Sequence, residues 1–168
     1  IDPNGERHYE NYQSCLHERI WAQLSVRDYL WGKFVWCMFD FPSAGRKEGD
    51  TAGINDKGLC TRERITKDAY WFYRSVWSNS RTCRITEKRF RRRAALVPVV
   101  KAYANAVRVE LFVNGESRGA GRNTDERLPT VFVWENVQLE QGRENSVTIR
   151  AEYSDGSIFE DHASWFGE

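Results

Sequence analysis

The sequence predicts a mixed fold, a slice of a larger parallel α/β architecture over residues 1–80 followed by an all-β sandwich of immunoglobulin-like size over residues 81–168. Three observations predict it. In the first half, apolar residues at helical spacing bracket one continuous apolar run. The second half alternates apolar and polar positions between Gly, Asn and Asp turns. The aromatic residues are also uneven, with fourteen of the twenty-three preceding Cys83, which places a change of architecture near residues 78–84.

Taken in order, Tyr9, Tyr12, Leu16 and Ile20 recur at helical spacing, so residues 9–24 should form an amphipathic helix on that stripe. Leu30 to Met38, LWGKFVWCM, is interrupted only by Lys33 and suits a parallel strand buried on both faces. Ala69, Phe72, Tyr73, Val76 and Trp77 fall at i, i+3, i+4, i+7 and i+8, marking a second helix over 66–78. One parallel strand between two helices leaves its edges unpaired, so residues 1–80 read as part of something larger. Further on, Leu96–Tyr103, Val107–Val113, Thr130–Val133 with Trp134, and Val147–Tyr153 are rich in β-branched and aromatic residues. Asn114-Gly115 directly after the alternating Val107, Val109, Leu111 and Val113 signals a hairpin, because both turn positions need positive φ. Asp155-Gly156 repeats the device between Tyr153 and Ile158.

Composition narrows the function classes. At 168 residues and 19.7 kDa the chain is one ordinary domain or two small ones. It is too short for a complete (β/α)8 barrel, which takes about 250 residues. A formal net charge of +1 gives no global field to recruit nucleic acid or an anionic membrane, so neither partner is expected. A hydrophobic content of 40% is enough for a real core. No apolar run approaches the roughly 20 residues of a membrane span. The start, Ile1-Asp2-Pro3-Asn4-Gly5-Glu6-Arg7, has no initiator Met and reads as a cut end. Cys15, Cys37, Cys60 and Cys83 contain no C-x-x-C pair and are expected as free thiols. His8, His17 and His162 have no metal-ligand spacing, so no metal is expected of this chain alone, and no cofactor.

The chemistry lies after the apolar run, in Trp36-Cys37-Met38-Phe39-Asp40-Phe41, then Gly49-Asp50, then Gly53-Ile54-Asn55-Asp56-Lys57-Gly58-Leu59. In parallel α/β folds the carboxyl ends of strands and the following loops face the reaction site. That edge offers Trp36, Asp40, Asn55, Asp56 and Lys57. An indole beside carboxylates, an amide and an ammonium suits a sugar ring, which needs an apolar surface for its C–H face and polar partners for its hydroxyls. Each residue also has a plain reading. Trp36 packs in a core, Asp40, Asp50 and Asp56 are turn residues, and Lys57 is a solvated cation. Asp40 and Asp56 have the chemistry of a glycosidase carboxylate pair, but spacing does not fix their separation. Two rival features remain. The run Lys88-Arg89-Phe90-Arg91-Arg92-Arg93 reads as a solvated strand and linker ahead of a polyanion patch, and Trp134 and Trp165 are candidate surface aromatics of a non-catalytic carbohydrate-binding sandwich.

FVWCMFDF at 34–41, EGDTAGINDKGLCTRERITKDAYWFYRSVW at 48–77, YANAVRVELFVNG at 103–115 and FVWENVQLEQGRENSV at 132–147 resemble the C-terminal part of a family 2 glycoside hydrolase, of the bacterial β-galactosidase kind. The resemblance runs through nearly the whole chain in order. It implies that residues 1–80 are the C-terminal slice of a (β/α)8 TIM barrel and that residues 81–168 form the immunoglobulin-like β-sandwich after it. It also implies a retaining mechanism, in which one glutamate protonates the leaving oxygen and a second attacks the anomeric carbon. Both glutamates of the family belong upstream of Ile1, so this chain alone is expected to be inactive, its partners being the missing barrel and N-terminal sandwich domains. Position by position, Trp36 matches the tryptophan that walls the sugar-binding subsite, and the following peptide bond, Trp36 to Cys37, is expected to be cis, with Cys37 standing where relatives usually carry Asn. Asn55 and Lys57 match an Asn-x-Lys pair that grips the uronic acid carboxylate in related β-glucuronidases, and Asp40 completes the expected substrate-binding set. Galactosidase-like relatives with a GINDKGL loop carry the same pair. The wider resemblance therefore favours a neutral β-galactoside, with a β-glucuronide or other uronide, or a purely scaffolding sandwich, as alternatives. A bacterial parent is expected, with a periplasmic or secreted location favoured and the compartment left open, and a homo-oligomer is among the partners considered.

Overall fold

The structure, a computed structural model, describes residues 9–47 and 51–168, so His8, Gly49 and Asp50 lie outside the described residues. The chain divides into two compact units, Ile1–Phe72 and Tyr73–Glu168, with the division inside the second helix. Among the described residues the elements are mainly β, with two helices, and no (β/α)8 barrel is evident. No helix among them is long and apolar enough to cross a membrane.

In the first unit, α1 covers Glu10–Leu24, close to the expected helix. Its buried face is not the expected one. Gln13, Ser14, Glu18 and Ala22 are buried, whereas Tyr12, Leu16 and Ile20 are exposed. Both sets repeat at i and i+4, so both are true helical stripes, and burial of the polar one is offset by tertiary and local hydrogen bonds of its donors. The Gln13 amide, for example, donates to two main-chain carbonyls at 3.0 Å.

The expected strand at Leu30–Met38 is also corrected. The segment carries no strand, and Trp31 (94% exposed), Phe34 (88%) and Trp36 (70%) stand in solvent. Exposure alternates from Lys33 to Phe39, the period of an extended chain. A parallel strand requires hydrogen-bonding neighbours, and among the described residues this unit supplies only one, the returning loop. Leu59 N–H donates to Cys37 O at 2.9 Å, Cys60 N–H to Met38 O at 2.9 Å, and Asp40 N–H to Cys60 O at 3.0 Å. The Trp36–Cys37 peptide bond is cis, as the resemblance implies. Two short antiparallel strands follow, β1 (Phe41–Pro42) and β2 (Ile54–Asn55), with Phe41 opposite Asn55. Helix α2, Asp68–Trp77, falls within the expected span and buries Ala69, Phe72 and Tyr73. Its first N–H groups lack intrahelical acceptors, and the Glu10 carboxylate accepts from Asp68 N–H at 2.7 Å.

The second unit contains β3 (Cys83–Ile85), β4 (Arg92–Arg93), β5 (Leu96–Ala104), β6 (Arg108–Val113), β7 (Glu116–Ala120), β8 (Val131–Gln138), β9 (Glu144–Glu152) and β10 (Ile158–Gly167). They form a five-stranded sheet in the order β4-β10-β9-β6-β7 and a three-stranded sheet in the order β3-β5-β8. Inward positions of both sheets, including Val100, Val109, Leu111, Trp134, Ile149 and Trp165, share one apolar core. The β6–β7 hairpin turns on Asn114 (φ 53°) and Gly115 (φ 84°), the positive pair that two-residue turns require. Asn145, fully buried, ties the β8–β9 connection. Its amide nitrogen donates to Glu140 O at 2.9 Å and Arg143 O at 3.0 Å, and its oxygen accepts from Glu140 N–H at 2.8 Å.

Candidate functional site

The first unit brings three of the four sequence-derived site residues to one place by folding the 55–60 segment back along 37–40. Trp36 leaves the cis bond with its indole largely in solvent, held edge-on by the Phe41 ring at 6.0 Å between centroids and 84° between planes. Trp36 and Lys57 line one groove of about 360 Å³, and the α1 residues Tyr12, Gln13, Leu16 and Ile20 complete its wall with His17. His17 is half-buried there, and that burial lowers its pKa below the ordinary 6.5. The groove is therefore apolar along α1, aromatic at Trp36 and cationic at Lys57. Lys57 is exposed, and among the described residues its ammonium makes no ion pair. Asn55 is buried beside it, and its side-chain oxygen accepts from Lys57 N–H at 3.2 Å.

Asp40 sits differently. It is buried, and one carboxylate oxygen accepts from Gly58 N–H at 2.8 Å and from the Lys67 ammonium at 2.8 Å. Lys67 also donates to Asp56 O at 2.7 Å. Asp40 thus holds the loop from behind, and it does not line the Trp36 groove. Gly58 makes this approach possible. A Cβ there would lie 2.3 Å from Asp40 N and 2.4 Å from Phe39 C, a distance at which atoms overlap. Gln13 and Lys67 were not singled out by the sequence. A glutamine on a helix and a lysine before one carry no local signal, and their role depends on contacts 44 and 27 residues away.

The rival features resolve plainly. Trp134 and Trp165 are both buried, so they provide no aromatic shelf on the sandwich. Trp134 Nε1–H donates to Gly119 O at 2.9 Å, and the Arg93 guanidinium stacks over the Trp165 ring at 4.7 Å. Three of the five cations in the basic run pair with acids of the same unit: Lys88 with Asp161 at 2.5 Å, Arg93 with Glu87 at 2.7 Å, and Arg92 with Glu168. Among the described residues no group of three or more His, Cys, Asp or Glu is placed to hold a metal ion.

Residues 97–158 match a family described as a domain of unknown function (DUF4982). Over 148 residues, 87% of the chain, the sequence is 42% identical to a β-glucuronidase of Bacteroides fragilis, of which it spans 21%. The fold superposes on an FMN-binding β-glucuronidase from Facaelibacterium prausnitzii L2-6 with a TM-score of 0.85 and 28% identity, covering all of this chain and 25% of that one. On a putative β-galactosidase from Bacteroides fragilis the TM-score is 0.87 with 26% identity, covering 96% of this chain and 24% of the other. The chain therefore spans a quarter or less of the relatives it matches. Sequence and fold together show that it resembles the C-terminal part of family 2 glycoside hydrolases of the β-glucuronidase and β-galactosidase kind.

Proposed function

We propose that this chain is the C-terminal part of a retaining family 2 glycoside hydrolase acting on β-glucuronides, and that Trp36, Asn55 and Lys57 hold the sugar while the catalytic glutamates lie elsewhere in the polypeptide. The observation that carries the reading is Lys57, which makes no ion pair among the described residues, lining the same groove as the exposed Trp36 indole. An uncompensated cation beside an aromatic wall binds a sugar that carries its own carboxylate better than a neutral one, through a charge-assisted hydrogen bond. The resemblance to a β-glucuronidase at 42% identity supports the same sugar, so the neutral galactoside favoured from sequence gives way. A galactoside remains the second reading on one observation, the TM-score of 0.87 to a putative β-galactosidase. The slice of a (β/α)8 barrel belongs to the same proposal. What supports it is the exposed apolar set Tyr12, Leu16, Ile20, Trp31 and Phe34, with Trp31 and Phe34 almost wholly in solvent.

The test is hydrolysis of nitrophenyl β-glucuronide and nitrophenyl β-galactoside by the full-length protein that contains this chain. The glucuronide is expected to have a kcat/KM at least about tenfold higher, the size of one differential charged contact. Equal rates, or a preference for the galactoside, would defeat the uronide reading. Trp36→Ala should lower kcat/KM by roughly a hundredfold through loss of sugar positioning, with the unfolding midpoint little changed because the ring is 70% exposed.

A further inference from the structure

We propose that Gln13, Asp40 and Lys67 are positioning residues that fix the Asn55–Lys57 loop, so that the place of the Lys57 ammonium in the groove is set from α1 and from the segment before β1. The inference rests on the sugar-binding reading above and adds the residues through which that reading acts.

The loop makes an unusual number of fixed contacts. Surface loops ordinarily leave their main-chain polar groups to water. Here five such groups in three consecutive residues are taken by side chains. Asp56 O accepts from Lys67 Nζ at 2.7 Å, and Lys57 N–H donates to Asn55 Oδ1 at 3.2 Å. Lys57 O and Gly58 O each accept from Gln13 Nε2 at 3.0 Å, and Gly58 N–H donates to Asp40 Oδ1 at 2.8 Å. The three outer side chains are all nine-tenths buried, Gln13 at 7%, Asp40 at 9% and Lys67 at 8% exposure. Burying an amide and an ion pair costs desolvation and side-chain entropy, so their geometry is tightly determined where it occurs.

Gln13 is the most telling. Its Nε2 carries two hydrogens and meets two carbonyls, while its Oε1 is buried without a hydrogen-bond partner among the described residues. The reversed amide would set an oxygen against both carbonyl oxygens, so the loop alone fixes this orientation. Gly58 closes the arrangement, because the missing Cβ lets the loop touch the Asp40 backbone. With its own N–H and C=O and the flanking groups all held, Lys57 has only its side-chain torsions left to adjust. Its Cα is therefore held at one height beside the groove, which limits the positions its ammonium can reach. Loss of a clamp should affect recognition of a sugar carboxylate and leave the bond-breaking step elsewhere untouched, which is a change in KM and not in kcat.

The experiment uses the full-length protein with Gln13→Met, which keeps length and removes both donors, and with Lys67→Met and Lys67→Arg. Because Lys67→Met strands the buried Asp40 carboxylate and can prevent folding, Gln13→Met is the deciding variant and Lys67→Arg tests rescue by a retained cation. In Gln13→Met the KM for nitrophenyl β-glucuronide should rise about tenfold, and clearly more than the KM for nitrophenyl β-galactoside, which reads any change in the groove wall itself. Deuterium uptake by the peptide spanning 55–60 should speed up by about tenfold or more in the same variant. An unchanged glucuronide KM in a protein that turns the glucuronide over, or equal losses of kcat on both sugars with a lowered unfolding midpoint, would overturn the positioning role. If the wild type hydrolyses neither sugar, the substrate reading fails on its own, and the exchange rate of the 55–60 peptide alone decides the clamp, with unchanged uptake refuting it.

Discussion

A carboxylate, an amide and a glycine that look alike in a loop sequence differ sharply once their partners are known. Asp40 and Asp56 were equal candidates on chemistry, yet the Asp40 side chain is buried against Lys67 and Gly58, and Asp56 contributes its main-chain oxygen to the same lysine. Trp36, Asn55 and Lys57 were legible as candidates because their residue types match sugar chemistry and the chain order of a known family. Their convergence was not, since it depends on cross-links from Cys37, Met38 and Asp40 to Leu59 and Cys60 that leave no periodic trace. Gly58 is the sharpest test at this scale. Gly58→Ala would force a methyl to within 2.3 Å of Asp40 N, where only backbone movement relieves the clash. The expected outcome is a loss of about 3 kcal/mol of stability in the first unit or a failure to fold it, read by urea denaturation. A variant as stable as the wild type would mean that the loop does not approach the 36–40 segment this closely.

Elements were legible where periodicity and burial agree. The strands at 96–104, 108–113, 131–138 and 144–152 lie within a few residues of the expected runs, and the Asn114-Gly115 hairpin forms where its turn chemistry requires. The short strands β3 and β4, and the solvent-facing β7, were not. β7 reads Glu-Ser-Arg-Gly-Ala with every position exposed, so no apolar alternation marks it. Helix α1 was found, but its buried stripe was misassigned because hydropathy alone ranks Tyr12, Leu16 and Ile20 above a polar stripe satisfied by tertiary hydrogen bonds. Leu30–Met38 failed as a strand for the complementary reason, that strand identity belongs to a pair and not to a segment. In the sandwich, the link between β8 and β9 hangs on Asn145. Asn145→Ala leaves Glu140 O, Arg143 O and Glu140 N–H without their buried partner and should lower stability by about 3 kcal/mol, read as a fall in the thermal midpoint. A shift indistinguishable from zero would show that water replaces the amide freely at that turn.

At the scale of the molecule, stability and function separate between the units. In the sandwich, burial pushes the Cys83 thiol up to about 12 from 9.0, with the Asp161 charge adding to it, and pushes the Tyr153 phenol up to about 12 from 10.0. Unfolded, these groups release protons near their ordinary values, while folded they hold them. Their contribution is therefore fully present below pH 9 and is lost as the pH rises through about 12. The urea midpoint of the second unit should fall between pH 9 and 12, and Tyr153→Phe should flatten that slope. A midpoint that does not change over this interval would contradict the burial of both groups. The first unit carries the groups proposed to face a sugar, and its exposed aromatic and aliphatic side chains fit a chain that spans only a quarter or less of these relatives. The central claim is that an ammonium with no ion-pair partner among the described residues, beside an exposed indole, reads a sugar carboxylate. Its most direct measurement is the ratio of kcat/KM for nitrophenyl β-glucuronide to that for nitrophenyl β-galactoside, in full-length wild type and in Lys57→Met. The ratio should fall by about tenfold or more in Lys57→Met, as a charge-assisted contact is lost on one substrate only. A ratio unchanged by that substitution would contradict the account.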